Sequence, residues 1–221
     1  MQRVGCALTR GVRAALPSFS IDAGELLQHV SRVIYRNKPL YYGNKGTNRY
    51  DAPGRNFGVL YLGRDLPTAL MESVFHQHGW LWDTKRSIAL AEVESRIVRV
   101  VGVLEDLCLA DLTAPGVMAG DFGLNLEQMA SRDYTCTQQV SGEVYALVGD
   151  DGQPRFDGVL YPSRNNYPGT GVAVFERAEA KIKIITDVDL VDHIGWPDFV
   201  ARYRIGIEPD VGPTNHEDEV N

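Results

Sequence analysis

Few residues in this 221-residue chain stand where they could do chemistry, and most of them stand alone. The stretch GVLYLGRDLPTALMES, Gly58 to Ser73, places one carboxylate, Glu72, among Leu, Ala and Met. Tyr35-Arg36 and Arg49-Tyr50 are paired, Tyr61 lies in the apolar run before Glu72, and LYPSRNN sets Ser163 beside Arg164. A carboxylate held by a rigid helix at the lip of a pocket is a natural catalytic group. An arginine offers phosphate a planar, bidentate fork. A tyrosine near a strand end can present its ring to a flat heterocycle. Each also has a plain structural use: Glu72 as a half-exposed surface acid, Arg36 near a helix C-terminus, Tyr61 in the core and Ser163 in a turn.

Periodicity narrows the choice for Glu72 without deciding it. From Leu66 onward, residues 66, 69, 70, 73 and 74 form one apolar stripe. At 100° per residue Glu72 falls roughly 60° beyond Ala69, on the border of that stripe.

The elements that must position these residues follow in order. Residues 21 to 36 carry Leu26, Leu27, Val30, Val33 and Ile34 at helical spacing and predict a helix. Residues 37 to 56 form a loop rich in Gly, Asn, Tyr and Arg, a length that points to function rather than mere connection. FGVLYLG, 57 to 63, is apolar on both faces and reads as a central strand. Asp65 then caps a helix that has Pro67 in its first turn. Strands are expected at 87 to 93, 97 to 104, 157 to 163, 171 to 176 and 180 to 191. Helical material at 124 to 148 breaks near Ser131 and Arg132, and WPDFVARYRI forms a short terminal helix. This irregular interspersion predicts a single α+β domain over 21–208 with a mixed or largely antiparallel core. Residues 1–20 read as an N-terminal arm and 209–221 as a frayed acidic tail.

Composition excludes several classes. The net charge of -7 argues against direct nucleic-acid binding and leaves room for a local basic pocket. Cys6, Cys108 and Cys136 are odd in number and form no CxxC, which suits a reducing cytoplasm. No apolar run reaches membrane-spanning length, so no membrane partner is expected. His76 and His78, two apart on a helix, are a poor metal pair, and no zinc spacing occurs. There is no G-x-S-x-G around Ser163 and no Walker A sequence, and GTG at 169 to 171 precedes a strand.

Together the early Tyr-Arg, the Gly-rich Arg-Tyr loop, LYLGRDLPTALMES and DGVLYPSRNNYPGTGVAVFE resemble the RES domain family over roughly residues 30 to 178. The family takes its name from recurrent Arg, Glu and Ser. The resemblance implies a fold similar to ADP-ribosyltransferases and an NAD-consuming toxin, neutralised by an Xre-type helix-turn-helix antitoxin. Carried over by position, the catalytic residues are Arg36, Glu72 and Ser163. Tyr35, Arg49, Tyr50, Tyr61 and Arg164 are the substrate-binding set. The family loop often reads Gly-Arg-Trp-Asn, whereas this chain has TNRYDAPG, with Tyr50 in place of Trp. NAD is then substrate rather than cofactor, inorganic phosphate is a candidate co-substrate, and no metal is required. Three functions follow from the resemblance and its rivals: NAD cleavage with transfer to water or phosphate, ADP-ribosylation of a protein or metabolite, and a non-enzymatic nucleotide-binding module. Self-association stays open.

Overall fold

The apolar run ending at Gly63 becomes the middle of a sheet because both of its faces are covered. In the computed structural model, which describes residues 16–38, 40–75 and 87–209, this run is strand β3 (Val59–Gly63). It follows β1 (Ser18–Ile21) and β2 (Leu26–Arg32) and leads into α1 (Leu66–Ser73). The chain continues through β4 (Ser87–Ala89), α2 (Leu90–Glu94), β5 (Arg96–Val103), β6 (Leu107–Asp111), α3 (Leu126–Ala130) and α4 (Thr135–Ala146). It ends with β7 (Gly158–Pro162), β8 (Thr170–Phe175), β9 (Ile182–Asp189), α5 (Trp196–Tyr203) and β10 (Gly206–Glu208). Eight strands form one sheet in the order β1-β6-β7-β8-β3-β2-β5-β9, and β10 pairs with β4 in a separate parallel ribbon. Within the large sheet only β6 and β7 run parallel. The fold is the expected α+β, with a mixed and mainly antiparallel core.

Three apolar clusters hold the sheet. Leu60 and Leu62 pack with Leu27, Val101 and Val172 on one face. The other face is divided: Val59 joins α4 residues Val140 and Val144 in one cluster, while α1 packs with Val30, Val98 and Phe199 of α5 in another. The seam between these two clusters is where the functional residues gather.

The structure corrects the expected helix over 21–36, which is instead the end of β1, a turn, β2 and a 3-10 turn at Val33–Tyr35. Leu27 and Val30 point to opposite sides of the sheet, into different clusters. A strand buried on both faces can thus carry apolar residues three apart, and that spacing imitates a helix. The turn chemistry was present in Asp22-Ala23-Gly24-Glu25, where Gly24 takes φ +93°. Residues 87 to 93, expected as one strand, switch to helix at Leu90. Ser18 to Ser20, assigned to the arm, pair with β6. No helix among the described residues is long and apolar enough to cross a membrane. His76, His78, Cys6 and the tail from residue 210 lie outside the described residues.

Candidate active site

Glu72 is placed by a helix docked unusually close to its strand. Asp65 accepts a hydrogen bond from Thr68 N at 2.7 Å and caps α1, with Pro67 in the first turn as expected. A Cβ on Gly63 would lie 2.4 Å from Ala69 N, so only glycine lets α1 sit directly on the end of β3. The same helix receives the loop after β7. A Cβ on Gly169 would lie 2.5 Å from Thr68 Oγ1, Asn166 Nδ2 donates to Thr68 Oγ1 at 2.9 Å, and Asn165 Nδ2 donates to Met71 O at 3.4 Å.

That docking brings Ser163 to Glu72 across 91 residues of chain. Ser163 Oγ donates to Glu72 Oε1 at 2.6 Å, and Arg164 N donates to the same oxygen at 3.0 Å. Ser163 is buried, and its Oγ accepts from Asn166 N at 3.1 Å. One carboxylate oxygen is therefore fixed by two donors, while Oε2 makes no hydrogen bond among the described residues. The Arg164 side chain turns away to the carbonyls of Ala130 and Ser131.

Beside this pair lies a buried set of aromatic and charged groups. Arg49 donates to Met129 O at 2.6 Å and Pro162 O at 3.3 Å, tying α3 to the end of β7. Its guanidinium carbon is 5.4 Å from the Tyr50 ring centre and 5.6 Å from that of Tyr161. Burial opposes the Arg49 charge, but the Glu72 carboxylate favours it and Arg49 stays cationic. Arg49 Nε and Tyr50 OH are buried without a hydrogen-bond partner. Burial holds the phenols of Tyr50, Tyr61 and Tyr161 above their ordinary range, so all three stay neutral.

Tyr61 connects the strand to the long loop. Its OH donates to Asp51 Oδ1 at 2.9 Å and accepts from Tyr50 N at 2.8 Å. Asp51, fully buried, also accepts from Thr47 N at 2.9 Å and Asn48 N at 3.0 Å, so one carboxylate organises the loop. Sequence reasoning missed Asp51. Its signal was an Asp in a Gly/Asn-rich loop, a residue suited to bonding nearby backbone N–H groups.

The sheet itself opens beside Tyr61. Strands β2 and β3 share a single residue pair, Gln28 with Gly63. Beyond it a side chain spans the gap: His29 Nδ1 donates to Tyr61 O at 3.0 Å. In the neutral ring this donation leaves Nε2 as an acceptor. Burial, helped by the nearby Arg99 charge and opposed by the Tyr61 hydrogen bond, lowers the His29 pKa from 6.5 to about 4. The unfolded chain binds this proton below 6.5 and the folded one only near 4, so stability falls as pH drops through that window. The expected loss is about 3 kcal/mol. Denaturant titrations from pH 7 to 4 should show that slope, and His29→Gln, which keeps a donor for Tyr61 O, should flatten it.

Cavities line this opening. One of about 240 Å³ is bounded by His29, Thr47, Asp51 and Tyr61. Thr47 is shared with one of about 550 Å³ that reaches Tyr134 and Arg164. His29, Tyr41 and Lys45 are shared with a third of about 410 Å³ that reaches Tyr35 and Arg99. The structure thus groups Glu72, Ser163, Arg164, Arg49 and Tyr50 directly, with Tyr61 one hydrogen bond away. Tyr35 lies by the third cavity. Arg36 is partly exposed, ion-paired with Asp187 at 3.3 Å and also with Asp189, and makes no hydrogen bond or ion pair with Glu72 among the described residues.

The RES domain family model matches residues 26–193, most of the chain and every residue of this constellation. The chain belongs to the RES domain family. That membership associates it with NAD-utilising toxins. The match begins at β2, the strand whose divergence from β3 opens the site of this RES domain. No curated protein matches the sequence.

Proposed function

We propose that this RES domain cleaves NAD at the nicotinamide–ribose bond and transfers ADP-ribose to water or inorganic phosphate. The observation that carries this reading is the Glu72 carboxylate, with Oε1 anchored by Ser163 and Arg164 N and Oε2 left for a ligand. Cleavage sends the bond's electron pair to the pyridinium nitrogen and releases neutral nicotinamide, leaving positive charge on the ribose ring. A fixed carboxylate stabilises that charge as it develops, as in glycoside hydrolysis. The acceptor oxygen then attacks the anomeric carbon and releases its proton to bulk water.

Ser163 serves as a positioning residue, because its proton is committed to Glu72 and its oxygen accepts from Asn166 N. Tyr61, anchored through its OH, offers a ring to the nicotinamide. The unpartnered Arg49 Nε and Tyr50 OH add two buried donors beside Glu72. Family membership supports the further proposal that the protein is the toxin of a toxin–antitoxin pair, neutralised by an Xre-type helix-turn-helix partner. The acidic net charge fits contact with DNA through such a partner better than directly.

The test is incubation of purified, antitoxin-free protein with NAD, with and without phosphate, followed by product identification. Free nicotinamide with ADP-ribose or its phosphorylated counterpart is expected. Label retained on a macromolecule would instead identify ADP-ribosylation, and tight NAD binding without consumption a binding module.

A further inference from the structure

The cavity of about 410 Å³ between β2, β5 and the start of the long loop carries three cations. Lys38, Lys45 and Arg99 line it with His29 and the half-exposed rings of Tyr35 and Tyr41, and no carboxylate among the described residues does. Arg99 is 1% exposed, yet it makes no ion pair among the described residues. Its guanidinium is held by Ser31 Oγ, by Tyr35 O at 2.9 Å and by Arg36 O at 3.3 Å, and Nε has no partner. The acids on neighbouring β9, Asp187 and Asp189, are engaged by Arg36 instead. The two lysines are exposed, and neither ammonium has a partner among the described residues.

Asp187, across the strand pair from Arg99, favours its charge but is ion-paired with Arg36, so burial still disfavours the cation, and an anion at the same place relieves that cost. Neutral His29 adds no competing charge and supplies an acceptor suited to a hydroxyl. The volume exceeds that of a phosphate group alone, and two tyrosine rings at the rim suit a base. We infer that this cavity holds the phosphate-bearing nucleoside end of the dinucleotide. Lys38 and Lys45 bind phosphate, and Arg99 in the same cavity supplies a fixed positive field. This assigns anion binding to three residues other than Arg36, which is ion-paired with Asp187 and Asp189, and Arg49, whose two terminal nitrogens are held by the carbonyls of Pro162 and Met129. It rests on the proposal that NAD is the substrate.

The probe is ADP, and the variant is Lys38→Ser with Lys45→Ser, two changes on exposed side chains. By titration calorimetry the double variant should bind ADP at least tenfold more weakly than the unmodified protein, whereas Glu72→Gln should bind it within twofold. With NAD, the double variant should raise KM tenfold or more and keep kcat within twofold. Unchanged ADP affinity and KM in the double variant would overturn the site, as would failure of ADP to bind the unmodified protein. Lysine-dependent ADP binding by a protein that leaves NAD intact would keep the site and remove the cleavage proposal.

Discussion

Glu72→Gln is expected to lower NAD turnover by about 10²–10³-fold while leaving the protein folded. The substitution is nearly isosteric, and the amide oxygen can still accept from Ser163 Oγ and Arg164 N, now at 2.6 and 3.0 Å from Oε1. What disappears is the negative charge that faces the ribose as it becomes cationic. The loss should therefore fall on kcat, with KM for NAD little changed. Glu72→Ala should be equally inactive but less stable, because the buried Ser163 hydroxyl loses its acceptor. Circular dichroism and a denaturation midpoint establish folding, and nicotinamide release measures turnover. Full turnover by folded Glu72→Gln would refute the role assigned to this carboxylate.

The second large effect is expected from a residue that never touches the reacting bond. Asp51→Ala should destabilise the protein by about 3–5 kcal/mol, because four donors lose one buried acceptor together. Tyr61 OH, Thr47 N, Asn48 N and Asn48 Nδ2 all donate to that carboxylate, and alanine offers no side-chain acceptor in its place. For a chain of this size the melting temperature should drop by roughly 10 °C. Activity should suffer as well, since the same contacts fix the Tyr61 ring and the loop edge of two cavities. Calorimetry beside NAD turnover checks both. A variant that melts normally would show that the loop is held by other contacts.

Local chemistry was well written in the sequence where neighbours decide the structure. The Gly63–Arg64–Asp65 break, with Pro67 behind it, announced α1, and the cap forms as its residue types require. The broken helix near Ser131 and the strands around Asp157 and Gly171 were likewise legible, because turn residues bound each run. β2 was misread since both of its faces are buried, so its apolar residues lack the alternation of a half-exposed strand. That misreading also hid His29, which reaches the cleft only when residues 26–32 are extended.

By itself the sequence determined an α+β chain of the RES type, the capped helix that bears Glu72, and the border position of that carboxylate on it. Only the tertiary structure decided which way the border faces. Ser163 meets Glu72 from 91 residues away, Asp51 ties the loop to Tyr61, and Arg99 lines one cavity with Lys38 and Lys45. Helical periodicity gives an angle about one axis. The partner at that angle comes from the packing of separate elements, here from a sheet whose β2 and β3 part after a single residue pair.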